Sequence, residues 1–141
     1  GLLLSRLQKN PKIFSEAIST LSKTQNFLFH IGSHLACVDE KVKSGLPKLE
    51  EAWVLGFEKE MDAMTEKLPP LKEFILPGGS EEASWAHLGR TVARRAERCC
   101  VALENTESLV IQVLNRLSDY LFVLARFCNS QLSTPDVTWK K

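Results

Sequence analysis

Residues 87 to 98 read HLGRTVARRAER, so Arg90, Arg94, Arg95 and Arg98 crowd into nine positions with a single carboxylate, Glu97, among them. A guanidinium is a planar fork of donors that engages phosphate or carboxylate oxygens two at a time, which a lysine ammonium does not do. A helix face that needs only solubility mixes Lys with Glu at four-residue spacing. Here every cation is arginine. The whole chain carries a formal net charge of only +1 over 141 residues, so this positive charge is local. A local cluster fits a small anionic ligand better than nucleic acid, which requires a broad basic face. The plain alternative is a solvated polar stripe.

On a helix, positions three and four apart share a face. That spacing puts His87, Arg90, Arg94 and Glu97 in one stripe, with Arg98 beside it and Arg95 turned elsewhere. Leu88, Val92, Ala96 and Cys99 are then expected to face the core. A second stripe, Asn115, Ser118, Asp119, Phe122 and Arg126, runs along the last helix beside Val110, Leu114, Leu117, Leu121 and Leu124. Asn115 and Asp119 are costly to bury without partners. They are expected to face the arginine helix, with Asp119 pairing an arginine and Asn115 turned to the same ligand.

These stripes need helices to carry them. Of the residues, 44% are hydrophobic and 25% charged, ordinary for a globular chain. Its length suits one domain, residues 1–141. Asn10-Pro11 starts a helix that keeps its apolar period through Ile13, Ile18, Leu21, Phe27, Leu28, Ile31 and Leu35 to about Cys37. Pro47 is expected to open the next, with Leu49, Trp53, Leu55, Phe57, Met61 and Met64 as its apolar set. Pro69-Pro70 closes it. Pro77-Gly78-Gly79 marks a loop, Ser80 caps the arginine helix, and Glu81 and Glu82 suit its positive end. The last helix spans about Leu109 to Ser130, and the tail STPDVTWKK is expected to be loosely held. No strand-like alternation or repeat occurs. The fold class is all-α, an antiparallel bundle of four helices plus a stub at the start.

Three segments in order, EFILPGGS (Glu73 to Ser80), HLGRTVARRAER and LNRLSDYLFVLAR (Leu114 to Arg126), resemble the trimeric ATP:cob(I)alamin adenosyltransferase family, and TQNFLFHIGSHLA resembles its second helix more loosely. The resemblance implies a five-helix bundle whose first helix is only partly present here, assembled as a homotrimer with active sites between subunits. It implies transfer of the 5′-deoxyadenosyl group of ATP to cob(I)alamin, with Mg²⁺ and release of triphosphate. It places ATP on Arg90, Arg94, Arg95, Glu97 and Asn115, and the corrinoid on Phe74, Ile75, Ser118 and Phe122. Arg90, Arg94 and Phe74 are the implied catalytic residues. The family's glycine- and threonine-rich ATP-binding segment and acidic DELN stretch have no counterpart in this chain, which is similar to the family from just beyond them. Trp85 and Gly89 depart from the usual family residues and are expected to reflect local repacking. An electron donor and an adenosylcobalamin-dependent enzyme are the further implied partners, in bacterial cytoplasm or, for a eukaryotic source, the mitochondrial matrix.

Other signals are weaker. His30 and His34 have a four-residue spacing that can bind zinc on a helix, but no third ligand is suitably placed, so no metal site is assigned and both are expected at the surface. Cys37, Cys99, Cys100 and Cys128 form no ligand or disulfide pattern and fit a reducing compartment. No uninterrupted apolar run approaches the roughly 20 residues that cross a bilayer. The rival function is a noncatalytic helical module whose arginine face holds a phosphorylated partner. A nucleic-acid-binding bundle is disfavoured by the net charge.

Overall fold

The computed structural model describes residues 1–140. They form α1 (Leu2–Leu7), α2 (Pro11–Ala36), α3 (Glu40–Lys43), α4 (Ala52–Thr65), α5 (Glu81–Val101) and α6 (Ser108–Gln131). Four long helices and the short α1 make the bundle, and α3 is a single turn in the connection to α4. Proline opens α2 because its missing N–H would have had no intrahelical partner there. Asn10 occupies the cap position without a side-chain capping bond. At the other well-marked start, the Ser80 hydroxyl accepts from the Ala83 amide at 3.2 Å.

Residue pairs fix how the helices run. Glu97 meets Asn115, His87 meets Phe122 and Ser80 meets Asn129, so α5 and α6 are antiparallel. Glu58 meets Arg116, Glu60 meets Tyr120 and Lys67 lies over Phe127, so α4 and α6 run the same way. Phe27 stacks on Trp53 at 4.2 Å and meets Phe57 edge-on at 6.5 Å, joining α2 to α4. The resulting order is up-down-up-down with α6 in the middle. Val110, Leu114, Leu117, Leu121 and Leu124 are all buried, as their spacing requires. An 18-residue window of α6 has mean hydropathy 1.3, long and apolar enough to cross a membrane by composition, yet half of it is buried in the bundle. Such a helix is what a bundle core needs.

Two apolar faces differ from expectation. In α2, Phe14 leaves helical geometry (φ −114°, ψ 23°). The buried residues of α2 are Phe14, Ala17, Leu21, Thr24 and Ile31, and Ile13, Leu28 and Leu35 are partly exposed. In α5 the core face is Ala83, Ala86, His87, Ala93 and Cys100, whereas Leu88, Val92 and Cys99 are exposed. Small residues let α5 lie close on α6, and this wins over the larger Leu and Val. Leu88 and Val92 instead line an apolar groove of about 370 Å³ with Leu4, Leu28, Trp85 and Leu114. α4 begins five residues after Pro47, and Leu55 faces solvent.

The tail is not loose. Ile75 and Thr138 form an antiparallel bridge, the Leu76 amide donates to the Val137 carbonyl at 2.7 Å, and the Trp139 amide donates to the Phe74 carbonyl at 2.7 Å. The chain end therefore straps the Pro-Gly loop.

Candidate functional site

Arg90 shares the α5 face of Ala86 and Ala93, four residues after the one and three before the other, whereas Arg95 is turned away from it. Arg94, Arg95 and Arg98 are exposed and Arg90 is half-buried. Among the described residues none of the four forms an ion pair. Four guanidinium groups without ion-pair partners, against the single carboxylate of Glu97, leave a net positive surface on α5. Such a face attracts a compact anion.

Arg90 has a different neighbour: its guanidinium lies over the Phe122 ring, 5.0 Å from the centroid. The His87 ring meets the same phenyl ring edge-on at 6.2 Å. Stacking restricts the Arg90 side chain and leaves its donor edge free for a ligand. One turn earlier on α6, the Ser118 hydroxyl is buried with no hydrogen-bond partner, and both His87 ring nitrogens are likewise unpartnered. Buried polar atoms are normally satisfied, so an unsatisfied pair beside Phe122 marks a place where a ligand can supply the missing bonds. Burial, and then the Arg90 charge, lowers the His87 pKa, while Asp136 pulls it the other way. His87 is therefore neutral at pH 7.

Glu97 and Asn115 are brought together. The Asn115 Nδ2 donates to Glu97 Oε1 at 2.8 Å, and Asn115 Oδ1 accepts from Arg116 Nη1 at 3.0 Å. Arg116 is held by Glu58 at 2.7 Å and Asp119 at 3.3 Å, and these acidic partners raise its pKa further. Asp119 thus pairs within α6 and not with an arginine of α5, because the three-residue spacing puts Arg116 closer to hand.

Phe74 is 79% exposed, touching Trp139 edge-on at 6.4 Å, and Ile75 beside it is half-buried. Their loop enters α5 through Gly78 and Gly79. At Gly79 φ is +97°, and a Cβ there would run into the Asn129 carboxamide. Only glycine satisfies both the conformation and the contact.

The two buried thiols, Cys100 and Cys128, are not poised for chemistry. Burial raises the Cys100 pKa and pushes that of Cys128 up to about 12. Neither is a thiolate at neutral pH. Among the described residues no group of three or more His, Cys, Asp or Glu side chains converges to hold a metal. His34 is not a free surface residue: its Nε2 lies 2.8 Å from the Pro47 carbonyl and its Nδ1 3.4 Å from Glu107. His30 leans on Trp53 at 5.7 Å.

A profile of the cobalamin adenosyltransferase family matches residues 1–128. The chain belongs to that family. It is 42% identical over 144 residues to a corrinoid adenosyltransferase of Bacillus subtilis, covering 100% of this chain and 72% of the relative. Against a cobalamin adenosyltransferase of Cupriavidus metallidurans the identity is 40%, with 100% and 73% covered. The human corrinoid adenosyltransferase is 38% identical, with 90% of this chain and 52% of that protein covered. The fold is similar to an arginine-to-lysine variant of a PduO-type ATP:corrinoid adenosyltransferase from Lactobacillus reuteri complexed with ATP, at TM-score 0.87 and 32% identity, covering 99% of this chain and 78% of that one. A phenylalanine-to-alanine variant from the same organism, complexed with cobalamin and ATP, gives TM-score 0.80 and 37% identity, with 88% and 70% covered.

Within this family member, the residues marked by the sequence fall into four groups. Arg90 and Phe122 are in contact, with Ser118 one turn away on α6. Glu97 and Asn115 are hydrogen-bonded. Phe74 and Ile75 lie apart in the strapped loop, and Arg94 and Arg95 stand in solvent. Sequence reasoning did not assign His87, Asn129 or Asp136 to the site. His87 has a signal in retrospect, since it sits four residues after Ala83 and six before Ala93 on a face of small residues. Asn129 has almost none, being one polar residue at the end of an apolar helix.

Proposed function

We propose that this chain transfers the 5′-deoxyadenosyl group of ATP to the cobalt of cob(I)alamin, giving adenosylcobalamin and triphosphate. The observation that carries the reading is the unpaired arginine row of α5 joined, through Arg90 on Phe122, to an aromatic surface with unsatisfied buried donors and acceptors. Cob(I)alamin supplies the electron pair. The cobalt–carbon bond forms, the bond from the 5′ carbon to the triphosphate oxygen breaks, and the released pair leaves on triphosphate. No side-chain nucleophile is required.

Negative charge grows on the leaving triphosphate, and Arg90, Arg94 and Arg95 are the groups to meet it. Donors held in place before the reaction act most strongly on developing charge, and removing one typically costs on the order of 3 kcal/mol in the barrier. Glu97 holds Asn115 at 2.8 Å and so orients its amide toward the nucleotide. Mg²⁺ fits this donor set as a companion of the phosphates, since it keeps waters, takes phosphate oxygens and needs only one or two carboxylates. Glu97 is the carboxylate on this face.

Phe74, Ile75, Ser118 and Phe122 form the corrinoid side. Aromatic and aliphatic groups cannot ligate cobalt, and they exclude water and the lower axial ligand, which eases reduction of Co(II). Ser118 Oγ is free to bond a corrin side chain. Three copies assemble with the sites between subunits, an electron donor provides Co(I), and an adenosylcobalamin-dependent enzyme consumes the product. The bacterial cytoplasm or the mitochondrial matrix meets these needs.

The test is spectrophotometric: chemically reduced cobalamin, ATP and Mg²⁺ are mixed with the protein, and the absorbance of adenosylcobalamin is followed. Product that depends on ATP and protein is expected. A trace matching the control without protein would overturn the proposal.

A further inference from the structure

One buried side chain ties together everything around the Phe74 loop. Asn129 is 2% exposed at the end of α6. Its Oδ1 accepts from the Ser80 amide at 2.8 Å and from the Ser80 hydroxyl at 3.0 Å. Its Nδ2 donates to the Gly78 carbonyl at 3.2 Å and to Asp136 Oδ1 at 3.0 Å. Its own carbonyl accepts from the Thr134 amide at 2.8 Å. The other oxygen of Asp136 accepts from Arg126 Nε at 3.2 Å, and Arg126 Nη2 reaches back to the Pro69 carbonyl at 2.8 Å. Three chain segments meet at this one carboxamide: the glycine turn that opens α5, the end of α6, and the tail.

The consequence reaches Phe74 through the backbone. Directly after Asp136, the tail pairs with the loop through the Leu76 amide and the Phe74 carbonyl. The Phe74 ring is itself largely in solvent and has few side-chain contacts to hold it. Its place is set by the backbone around it, and that backbone is set by the tail. Fully satisfied buried polar networks of this kind define one conformation, and a half-satisfied one loses it.

We propose that Asn129, with Asp136 and Arg126, is a positioning set that locks the loop bearing Phe74 to the chain end, so that the aromatic side of the corrinoid site is held before substrate arrives. The catalytic part rests on the reading of Phe74 given above, whereas the lock itself does not.

Two variants separate lock from core. In N129D the acceptor for Ser80 is kept, while the donor to Gly78 and Asp136 becomes an oxygen facing two oxygens. D136N lies in the tail outside the helical core and weakens the same junction if N129D fails to fold. Amide hydrogen exchange at Leu76 and Trp139 is the first readout. Both amides are expected to exchange at least about tenfold faster in each variant, while the middle of α5 and α6 stays protected. Unchanged exchange at both amides overturns the lock.

The second readout is turnover from cob(II)alamin with a reductant at saturating ATP. N129D is expected to lower it about tenfold with the KM for ATP unchanged, the scale of loss that small misplacement causes. In an F74A background the same substitution is expected to change turnover less than about twofold, because residues acting through one another are not additive. Equal losses in both backgrounds would mean that Asn129 acts elsewhere and would overturn the positioning role. A fully active F74A protein overturns the reading of Phe74, and the exchange data then decide the lock alone.

Discussion

Arg94 stands in solvent on α5 with no ion-pair partner among the described residues, so its removal exposes no buried charge and empties no cavity. Arg94→Ala is expected to cut turnover by about 10²–10³-fold, the loss typical of one transition-state donor. Surface changes of this kind shift stability by no more than about 0.5 kcal/mol. Steady-state kinetics beside a denaturation curve checks both halves, and a variant with near-normal turnover would remove the assignment. His87 makes the opposite kind of residue. Its native pKa lies below the ordinary value because the ring is buried and Arg90 is near. The unfolded chain therefore binds a proton first as pH falls below about 6.5, and stability declines from there until the depressed native pKa is passed. Above that window the contribution is complete. His87→Gln is expected to flatten this part of the stability curve, measured by urea denaturation at several pH values. The arginines were legible in the sequence because their type and crowding are unusual. The burial of His87 was not, since a polar residue in a polar stripe gives no sign of which way the helix is turned.

At the scale of the helix, α5 shows how an apolar pattern misleads. Leu88 and Val92 look like core, yet the packing against α6 runs through Ala83, Ala86 and Ala93, with Gly89 opposite Leu121. Close approach of two helices rewards small side chains, and hydrophobicity scales do not register that. Gly89 adopts no left-handed conformation, and a Cβ there would meet the Leu121 methyl groups at 3.4 and 3.8 Å, which is ordinary contact. Gly89→Ala is therefore expected to stabilise the protein by up to about 1 kcal/mol through helix propensity. The midpoint of thermal unfolding should rise by a few degrees, and a fall would mean that Leu121 cannot yield. The helix starts at Pro11 and Ser80 were legible because a first-turn proline and a capping serine act locally, although Asn10 makes no capping bond. The kink at Phe14 and the strap between the tail and the Phe74 loop depend on distant contacts, and no window of sequence contains them.

Across the whole molecule, the arginines of α5 and the Phe122 surface share the α5–α6 scaffold, where the Arg90 guanidinium lies over the Phe122 ring, so a ligand held there stabilises the folded state. A ligand that binds only the native protein raises its stability by about 2.7 kcal/mol at a hundred times its dissociation constant. ATP with Mg²⁺ is expected to raise the unfolding midpoint in this way, and adenosine, which lacks the triphosphate, much less. Exposed guanidinium groups interact through screened charge, so the ATP shift should shrink as salt is raised. Arg94→Ala should shrink it as well. The rival in which the arginine face holds a phosphorylated protein segment makes a different forecast, because a phosphoserine peptide would then stabilise the chain as well as ATP does. Thermal denaturation with ATP, adenosine and the peptide in parallel separates the two, since only nucleotide recognition requires the base and the triphosphate to be read together. A shift with ATP that is absent with the peptide supports the adenosyltransferase reading. The reverse pattern would leave a phosphate-binding bundle that carries out no transfer.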